Sequence, residues 1–317
     1  MCQEKITTQF DVKMKIFINN VQEGWIVDRF RKEFYEYNPE VSTSKIREAD
    51  LVWIISPWAW RKIPKKHLRK KKVICTVHHI DEIKFSGIEG KEFFELDKFV
   101  DFYHTISEKS FAQLSKLTKK PIFKIPFWVN PNLWFQLKDK DNLKKKHSIP
   151  LDVKTIGSFQ RDTEGKDGVS PKLSKGPDQL FTIIKKFAEN ENILVILSGH
   201  RRNYITSLFD KSKINYIYFE QVNTKTLNEL YNCLDLYIVA SRIEGGPQAI
   251  FESALTRTPI ISTDVGAAGQ FLSKKSIYNM ENFQLAETDT ELAYDNVIKL
   301  AIPSGFNSFL NIFEDIV

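Results

Sequence analysis

The sequence predicts an α/β protein of two domains, each built on a parallel sheet wound with helices. Three observations lead to this prediction. The chain has 317 residues, more than the roughly 250 to 300 at which a single hydrophobic core stops growing. Short apolar runs alternate with helical patterns, as in strand–helix–strand units. This alternation starts afresh near residue 153, after a polar segment typical of an interdomain connection.

The first series contains five predicted strands, at 14–18, 51–55, 72–77, 102–106 and 122–125, and helices that include 27–37 and 108–117. The second has strands at 153–157, 193–197, 216–219, 236–240 and 259–263, and helices at 177–190, 226–232 and 247–257. We therefore expect a first domain at 14–135, a lysine-rich linker at 136–150 and a second domain at 151–300. A separate helix is expected at 301–317 and a disordered leader at 1–13.

Composition predicts a globular protein, because 42% of the residues are hydrophobic and 27% are charged. No apolar run approaches the ~18 residues that indicate a membrane span. The first residues also lack the apolar core of a secretory signal, so the expected location is the cytoplasm.

The stretch from Ser241 to Gln270 carries the strongest chemical signal. It places Glu244 and Glu252 eight positions apart around a Gly-Gly-Pro turn, the first on the exit loop of a strand and the second on the following helix. The helix N-terminus suits phosphate, because its first N–H groups have no partner inside the helix. Ionised carboxylates accept two hydroxyl groups at once and so suit vicinal diols. This combination favours a sugar nucleotide as ligand.

The same stretch resembles the E-x7-E signature of the family 4 (group 1) retaining glycosyltransferases. The preceding strand, the Gly-Gly-Pro turn, the strand at 259–263 and the glycine-bearing loop at 264–269 follow in the family's order. The resemblance implies the GT-B fold, in which two facing Rossmann-like domains with parallel sheets enclose a cleft. It also implies transfer of a sugar from a nucleotide donor to an acceptor hydroxyl with retention of configuration, by a front-face mechanism and without a metal.

Site residues follow from the resemblance. Glu252 is expected to hold the nucleotide ribose and Glu244 the reacting sugar. The expected donor-binding set is completed by Gly157, Gly246 and the backbone N–H groups of Gln248 and Ala249. A D-x-D pattern at Asp139 to Asp141 lies in the charged linker and is interpreted as a solvated loop, so no metal site is predicted.

Two basic residues are expected to neutralise the donor diphosphate. Arg161 follows the first strand of the second domain, and Lys175 precedes the Gly-Pro that opens the next helix, as in the family. Their contribution should grow as charge develops on the leaving phosphate. The segment between them is longer than the family's usual spacing, which leaves Lys166 as a rival to Lys175.

A histidine of the first domain is expected to face the donor sugar. His78 directly follows the strand at 72–77 and is preferred, with His79 as the alternative, because adjacent side chains point to opposite faces of a strand. A strand cap or a satisfied core histidine is the structural alternative. The loop at 19–24 offers a single glycine, Gly24, where the family has a glycine-rich loop.

The first domain also carries the excess of positive charge. Its basic segment, Ser56 to Lys72, holds eight lysines and arginines, no acid, and Trp58 and Trp60. Each basic residue near an anionic leaflet gains roughly 1 kcal/mol, and tryptophan favours the interface. Peripheral attachment through Trp58, Trp60 and the 61–72 run to the inner face of the plasma membrane, next to a lipid-linked acceptor, is therefore one hypothesis. An ordinary solvated surface is the other, and no nucleic-acid recognition motif accompanies the run.

The resulting hypothesis is a glycosyltransferase of bacterial surface polysaccharide or glycolipid synthesis. Two other functions are consistent with the same residues. One is a non-catalytic GT-B-like subunit that binds nucleotide sugars or acts as a scaffold, and the other is a sugar-nucleotide hydrolase or epimerase. The sugar, the nucleotide and the acceptor are not specified by these motifs.

Overall fold

The computed structural model describes residues 14–22, 24 and 26–317 and contains two parallel sheets in two α/β domains, as predicted. Neighbouring strands of the first sheet are all parallel. The third strand is buried at five of its six positions, as expected for a parallel strand covered on both faces. The five strands stand in chain order: β1 (Ile16–Ile18), β2 (Leu51–Ile54), β3 (Lys72–Val77), β4 (Phe102–Thr105) and β5 (Ile122–Lys124).

Helices cover both faces of this sheet. They are α1 (Ile26–Tyr37), α2 (Lys65–Leu68), α3 (Glu82–Phe85), α4 (Ile88–Asp97) and α5 (Glu108–Leu114). Helix α1 buries Val27, Phe30 and Phe34, which recur at the spacing of one helix face. The Phe34 ring packs edge-on against Trp53 of β2, with ring centroids 5.7 Å apart. This stripe fixes α1 against the sheet.

The second sheet has six strands in the order β10-β9-β6-β11-β12-β13. Strands β6 and β11 are neighbours, and the later strands continue outward from each of them in opposite directions. In such sheets ligands bind at the carboxyl ends of the two strands where the order reverses. The strands are β6 (Lys154–Phe159), β7 (Thr163–Glu164) and β8 (Ser170–Pro171), which form a separate hairpin, then β9 (Ile193–Ser198), β10 (Tyr216–Phe219), β11 (Leu236–Val239), β12 (Ile260–Thr263) and β13 (Ile277–Tyr278).

The remaining helices are α6 (Lys140–Lys146), α7 (Pro177–Ala188), α8 (Asn203–Ser212), α9 (Thr224–Asn232), α10 (Gln248–Leu255), α11 (Ala268–Phe271), α12 (Thr290–Val297) and α13 (Asn307–Ile316). Helix α6 replaces the expected solvated loop: the Asp139 carboxylate accepts a hydrogen bond from the Asn142 N–H at 3.1 Å and starts a helix. Lys140 and Lys144 then pair with Asp235 of the second domain. In the part of the chain that the structure describes, no helix has the length and apolar character needed to cross a bilayer.

Helix α13 packs against the first domain, although it follows the second. Phe306, Phe309 and Phe313 lie in one buried cluster with Trp53 and Trp128. The chain therefore passes between the domains twice. The two passages lie side by side, because the Val129 N–H donates to the Leu300 carbonyl and the Ile302 N–H donates to the Val129 carbonyl, each at 2.9 Å.

Candidate active site

Two ligand loops lie at the reversal point of the second sheet. One leaves β6 and carries Arg161, and the other leaves β11 and carries Glu244. The second loop ends at Pro247, and α10 begins at the next residue rather than at the proline. The backbone N–H groups of Gln248 and Ala249 therefore belong to the first turn of a helix and lack intrahelical partners by position. Both loops thus follow neighbouring strands of the second sheet, at the carboxyl ends of those strands.

Glu252 lies one turn into α10 and is 9% exposed. The Tyr231 hydroxyl donates to its Oε2 at 2.9 Å, and Arg29 Nη1 from the first domain lies 3.7 Å from its Oε1. Burial raises the pKa of Glu252, while Arg29 and the Tyr231 hydroxyl act in the opposite direction. The carboxylate is thus oriented by one neighbour and neutralised by another.

Glu244 forms an ion pair with Lys175 and accepts a hydrogen bond from Ser241 Oγ at 3.3 Å. Lys175 reaches it because the following Gly176 has a φ of +61° and packs against the Ala240 carbonyl. A Cβ at Gly176 would stand 1.8 Å from that carbonyl oxygen, so only glycine fits. The close approach brings the chain before α7 onto the loop after β11.

Arg161 and the hairpin of β7 and β8 adjoin this ion pair. The Arg161 Nε–H donates to the Thr163 carbonyl at 2.9 Å. The extra residues between Arg161 and Lys175 are accommodated by the hairpin, and Lys166 lies exposed at its turn. The structure thus places Lys175, and not Lys166, beside Glu244. Lys172, which the sequence analysis did not select, is half-buried, and burial followed by the charges of Lys175 and Arg161 lowers its pKa.

A fully buried ion pair supports the loop that carries Arg161. The Arg202 Nε–H donates to Asp162 Oδ2 at 2.5 Å, and both side chains are 0% exposed. Arg202 Nη1 also donates to the carbonyls of Ser158 and Gln160, at 2.6 and 2.8 Å. The guanidinium therefore binds the backbone before and after the end of β6 and fixes the backbone position from which Arg161 extends.

The two histidines after β3 have different environments. His78 Nε2 lies 2.8 Å from the Ile55 carbonyl, and its ring stacks on Phe127 with centroids 6.0 Å apart. Burial lowers the pKa of His78 to about 4. His79 has an exposed side chain that lines the same cavity as Glu244. Partial desolvation by the surrounding cavity walls lowers its pKa, while the Glu244 carboxylate acts in the opposite direction. Position therefore favours His79 over the preferred His78, whose ring is turned into the first domain.

The two predicted donor-site glycines also differ in their surroundings. Gly157 lies within β6 and not in a ligand loop, and a Cβ there would stand 2.2 Å from a methyl carbon of Leu234. The absence of a side chain at Gly157 thus serves core packing, and its donor contact stays a prediction. Gly246 lies in the loop before α10, where a Cβ would stand 3.2 Å from Ile106 of the first domain.

The two domains touch directly at Gly245. A Cβ on this residue would stand 1.9 Å from the His78 carbonyl oxygen and 3.0 Å from Ile106 Cδ1. Lys109 of α5 crosses the cleft nearby and pairs with Asp264 at 2.8 Å. The contact of glycine with carbonyl holds the loop of Glu244 against the first domain.

A cavity of about 590 Å³ opens beside this contact. Both domains line it, with residues 79–83, 109–110 and 112–113 from the first and residues 242–244 and 264–266 from the second. Its carboxylates include those of Asp81, Glu82 and Asp264, in addition to Glu244. Its cations Lys109 and Arg242 are paired, with Asp264 and Asp178 respectively. The cavity is thus rich in hydrogen-bond acceptors.

Comparison with known proteins agrees with this geometry. Residues 169–282 match the family model described as glycosyl transferases group 1. No curated protein matches the sequence. Several solved structures share the fold over nearly the whole chain.

Three of these structures illustrate the likeness. Anabaena HepE, solved in complex with UDP and glucose, has a TM-score of 0.71 at 12% identity and covers 95% of this chain and 100% of its own. Sucrose-phosphate synthase from Thermosynechococcus elongatus has a TM-score of 0.68 at 13% identity, over 94% of this chain and 80% of its own. TarM of S. aureus has a TM-score of 0.63 at 14% identity, over 90% and 58%. The family model thus matches part of the second domain, and the solved structures, at 12–14% identity, show the GT-B fold over nearly the whole chain.

Proposed function

We propose that this protein is a retaining, nucleotide-sugar-dependent glycosyltransferase of group 1, which holds its donor at the carboxyl ends of β6 and β11 and transfers the sugar to an acceptor hydroxyl in the adjoining cavity. One observation carries the proposal. The ion pair of Glu244 and Lys175 lies in this cleft, and Glu252 lies on the helix that follows. Carboxylates suited to hydroxyl groups thus accompany a cation suited to a diphosphate.

Each of these residues is assigned a separate part of the donor. Glu252 accepts hydrogen bonds from the ribose hydroxyls, and Glu244 accepts them from the sugar. When the donor binds, the sugar replaces Lys175 as the partner of Glu244. The Lys175 ammonium then binds the diphosphate together with Arg161. Because negative charge grows on the leaving phosphate as the glycosidic bond breaks, both cations stabilise the transition state more than the ground state.

Retention by a front-face route agrees with the surroundings of Glu244. A double-displacement route needs a carboxylate nucleophile on the face of the sugar opposite the leaving group. Glu244 is instead assigned to the hydroxyl groups of the sugar, and Ser241 Oγ donates a hydrogen bond to it at 3.3 Å. In the front-face route the bond from the anomeric carbon to phosphate breaks, the acceptor oxygen bonds to the same face, and the leaving phosphate oxygen takes the acceptor's proton.

The acceptor cavity favours a neutral, hydroxyl-rich molecule. Its lining includes the carboxylates of Asp81, Glu82, Glu244 and Asp264, while the cations Lys109 and Arg242 are each engaged by a carboxylate. An anionic sugar would meet like charge there, whereas a neutral saccharide would donate hydrogen bonds. The proposed pathway is the synthesis of a bacterial surface polysaccharide or glycolipid.

A donor-binding assay tests the proposal. The melting temperature is measured with a panel of nucleotides and nucleotide sugars, beginning with UDP-glucose, for the wild type, Glu252→Ala and the exposed control Glu281→Ala. A ligand that binds only the folded state raises the melting temperature, and a selective rise lost only in Glu252→Ala is expected. The donor is then incubated with and without neutral glycan acceptors: turnover without acceptor would indicate a hydrolase or epimerase, and binding without turnover a scaffold.

Membrane attachment is the second part of the proposal, and the structure changes which side chains are expected to contact the membrane. Trp58 is 53% exposed, but Trp60 is 2% exposed and its Nε1–H donates to Glu92 at 3.1 Å. Trp60 is therefore a core residue. Two exposed apolar side chains, Ile83 of α3 and Ile88 of α4, are 84% and 74% exposed and add to the apolar surface of this domain.

Vesicle sedimentation tests this part. We expect the protein to bind vesicles that contain an anionic lipid and not neutral vesicles, because basic side chains are attracted to the anionic surface. Replacing the three exposed lysines 62, 65 and 66 by glutamine should weaken binding. The matched control replaces three exposed lysines of the second domain, 211, 213 and 225. Equal losses in both triple variants would contradict a specific surface and leave a general charge effect. The proposed location is the cytoplasm, at the inner face of the plasma membrane.

A further inference from the structure

Arg29 of α1 reaches from the first domain to two residues of α10. Its Nη2–H donates to Gln248 Oε1 at 3.3 Å, and its Nη1 lies 3.7 Å from Glu252 Oε1. Both partners are donor-site residues of the second domain. The contact thus joins the first domain to the carboxylate assigned to the ribose.

The base of Arg29 is fixed within the first domain. Its Nε lies 3.8 Å from Glu33, one helical turn along α1. Glu33 is buried, and its two carboxylate oxygens accept hydrogen bonds from Trp128 Nε1 and Asn130 Nδ2, each at 2.9 Å. These contacts anchor the side chain in the first domain, whereas its guanidinium end lies 5.8 Å from the ring centroid of Trp134, which packs in the core of the second domain.

The contacts of the guanidinium are long for a cation whose side chain is only 23% exposed. A separation of 3.7 Å is an ion pair and not a hydrogen bond, and the Nε atom is buried without a hydrogen-bond partner among the described residues. Arginine presents five donors, and buried donors without acceptors are unfavourable. The side chain is thus held next to Glu252 by its packing, and its charge rather than a hydrogen bond acts on the carboxylate.

We propose that Arg29 is a positioning residue that keeps Glu252 charged and oriented for the ribose hydroxyls, so that nucleotide affinity depends on contact between the two domains. An ionised carboxylate accepts hydrogen bonds from both hydroxyls, whereas a protonated one has a proton of its own to place. Only the first domain supplies this cation. The first domain therefore strengthens ribose binding without touching the nucleotide. This inference rests on the proposed role of Glu252.

A thermodynamic cycle between the arginine and the ribose tests the inference. Affinity is measured by calorimetry for whichever of UDP, GDP, ADP and CDP binds the wild type best, and for its 2′,3′-dideoxy analogue. Hydrogen bonds to a charged acceptor predict that removing both hydroxyls weakens wild-type binding about 10- to 100-fold. In Arg29→Gln the intact nucleotide should bind about 10-fold more weakly than in the wild type. Removal of the ribose hydroxyls should then lower the affinity of this variant by less than about threefold.

Matched variants separate this role from general destabilisation. Lys32→Gln removes an exposed positive charge from the same helix and should leave both affinities unchanged. Arg29→Lys should restore part of the affinity for the intact nucleotide and of the preference over the dideoxy analogue. Inorganic pyrophosphate has no ribose, so its affinity should be the same in the wild type and in Arg29→Gln.

Two failures are distinguishable. If Glu252→Gln removes the preference for the intact ribose but the effects of Arg29→Gln and of the dideoxy analogue simply multiply, the inference about Arg29 is wrong and the donor site stands. If the wild type binds none of these nucleotides, or Glu252→Gln binds them unchanged, the proposed donor site is wrong and the inference is wrong with it.

Discussion

Replacing Gly245 by alanine should slow sugar transfer about 100-fold while weakening nucleotide binding by no more than about 10-fold. The added Cβ would stand 1.9 Å from the His78 carbonyl oxygen, and Cβ contacts under 3.0 Å are essentially never found. The first domain must therefore withdraw by at least about 1.1 Å from the loop of Glu244. Misplacement by about 1 Å at a catalytic site can reduce the rate about 100-fold.

The assay compares kcat for transfer with the dissociation constant of the nucleotide product for each variant. Gly269→Ala is the matched control, because a Cβ there would have only an ordinary contact, 3.5 Å from an Asp264 oxygen. We expect Gly269→Ala to keep wild-type kcat and Gly245→Ala to lose no more nucleotide affinity than the about 10-fold expected for Arg29→Gln, since the other residues that hold the nucleotide belong to the second domain. Full activity in Gly245→Ala would refute the reasoning, because it would mean that the contact with His78 is not present during catalysis.

Three further outcomes follow from the second domain and the buried histidine. Lys172→Gln should weaken pyrophosphate binding several-fold and Lys166→Gln should not, as measured by calorimetry, because only Lys172 is half-buried beside Arg161 and Lys175; equal effects would contradict this assignment. Asp162→Ala should lower the free energy of unfolding by about 3–5 kcal/mol in urea, because it leaves Arg202 buried and unpaired; a loss under about 1 kcal/mol would show that the pair is dispensable. Burial lowers the pKa of His104 to about 3, so as pH falls from about 6.5 the unfolded chain takes up a proton that the folded protein refuses until about pH 3. The free energy of unfolding should therefore fall across this window, and it should fall less steeply in His104→Gln; parallel slopes would contradict this.

The neutral form of His104 has a geometric basis. Trp53 Nε1–H donates to Thr76 Oγ1 at 2.8 Å, Thr76 Oγ1 lies 2.9 Å from His104 Nδ1, and His104 Nε2 lies 2.8 Å from the Ile125 carbonyl. Nε2 must donate to the carbonyl, so Nδ1 accepts from the threonine. A second proton on Nδ1 would face the Thr76 hydroxyl and leave its hydrogen without an acceptor.

The fold class and the order of the site loops could be predicted from the sequence, because they depend on local periodicity and on a motif of fixed spacing. The strand before Glu244 and the helix after Pro247 are encoded within a few residues of one another. The choice between Lys166 and Lys175 could not be made in this way. It depends on a hairpin that folds the extra residues aside, and on the close approach of Gly176 to Ala240.

The surroundings of the two histidines and the two tryptophans could not be predicted from the sequence for a related reason. In an extended chain Trp58 and Trp60 point to the same side, but the segment is a 3₁₀ helix, Pro57–Lys62, with about three residues per turn. Side chains two residues apart on such a helix point in different directions, so the Trp58 ring is exposed and the Trp60 ring is buried. For His78 and His79, which ring enters the cleft depends on the position of Ile55 on the neighbouring strand.

Partners distant in sequence were not predictable from patterns. The apolar face of α13 indicates an amphipathic helix, yet nothing in its spacing shows that it packs on the first domain. Arg29 and Glu252 are separated by most of the chain, and α1 carries no motif that marks one arginine. Such contacts depend on how the two domains are placed, which only the structure provides.

The two adjacent passages of the chain between the domains limit the motion available to the enzyme. A single flexible linker would let one domain tumble freely relative to the other. Here the passages near Val129 and Ala301 are joined by two backbone hydrogen bonds, so they act as the two strands of a short ribbon. Such a ribbon bends more readily than it stretches or twists. We therefore expect the cleft to open and close mainly by a hinge motion at these two crossings. Such a motion would bring Gly245 back to the same carbonyl oxygen at every turnover.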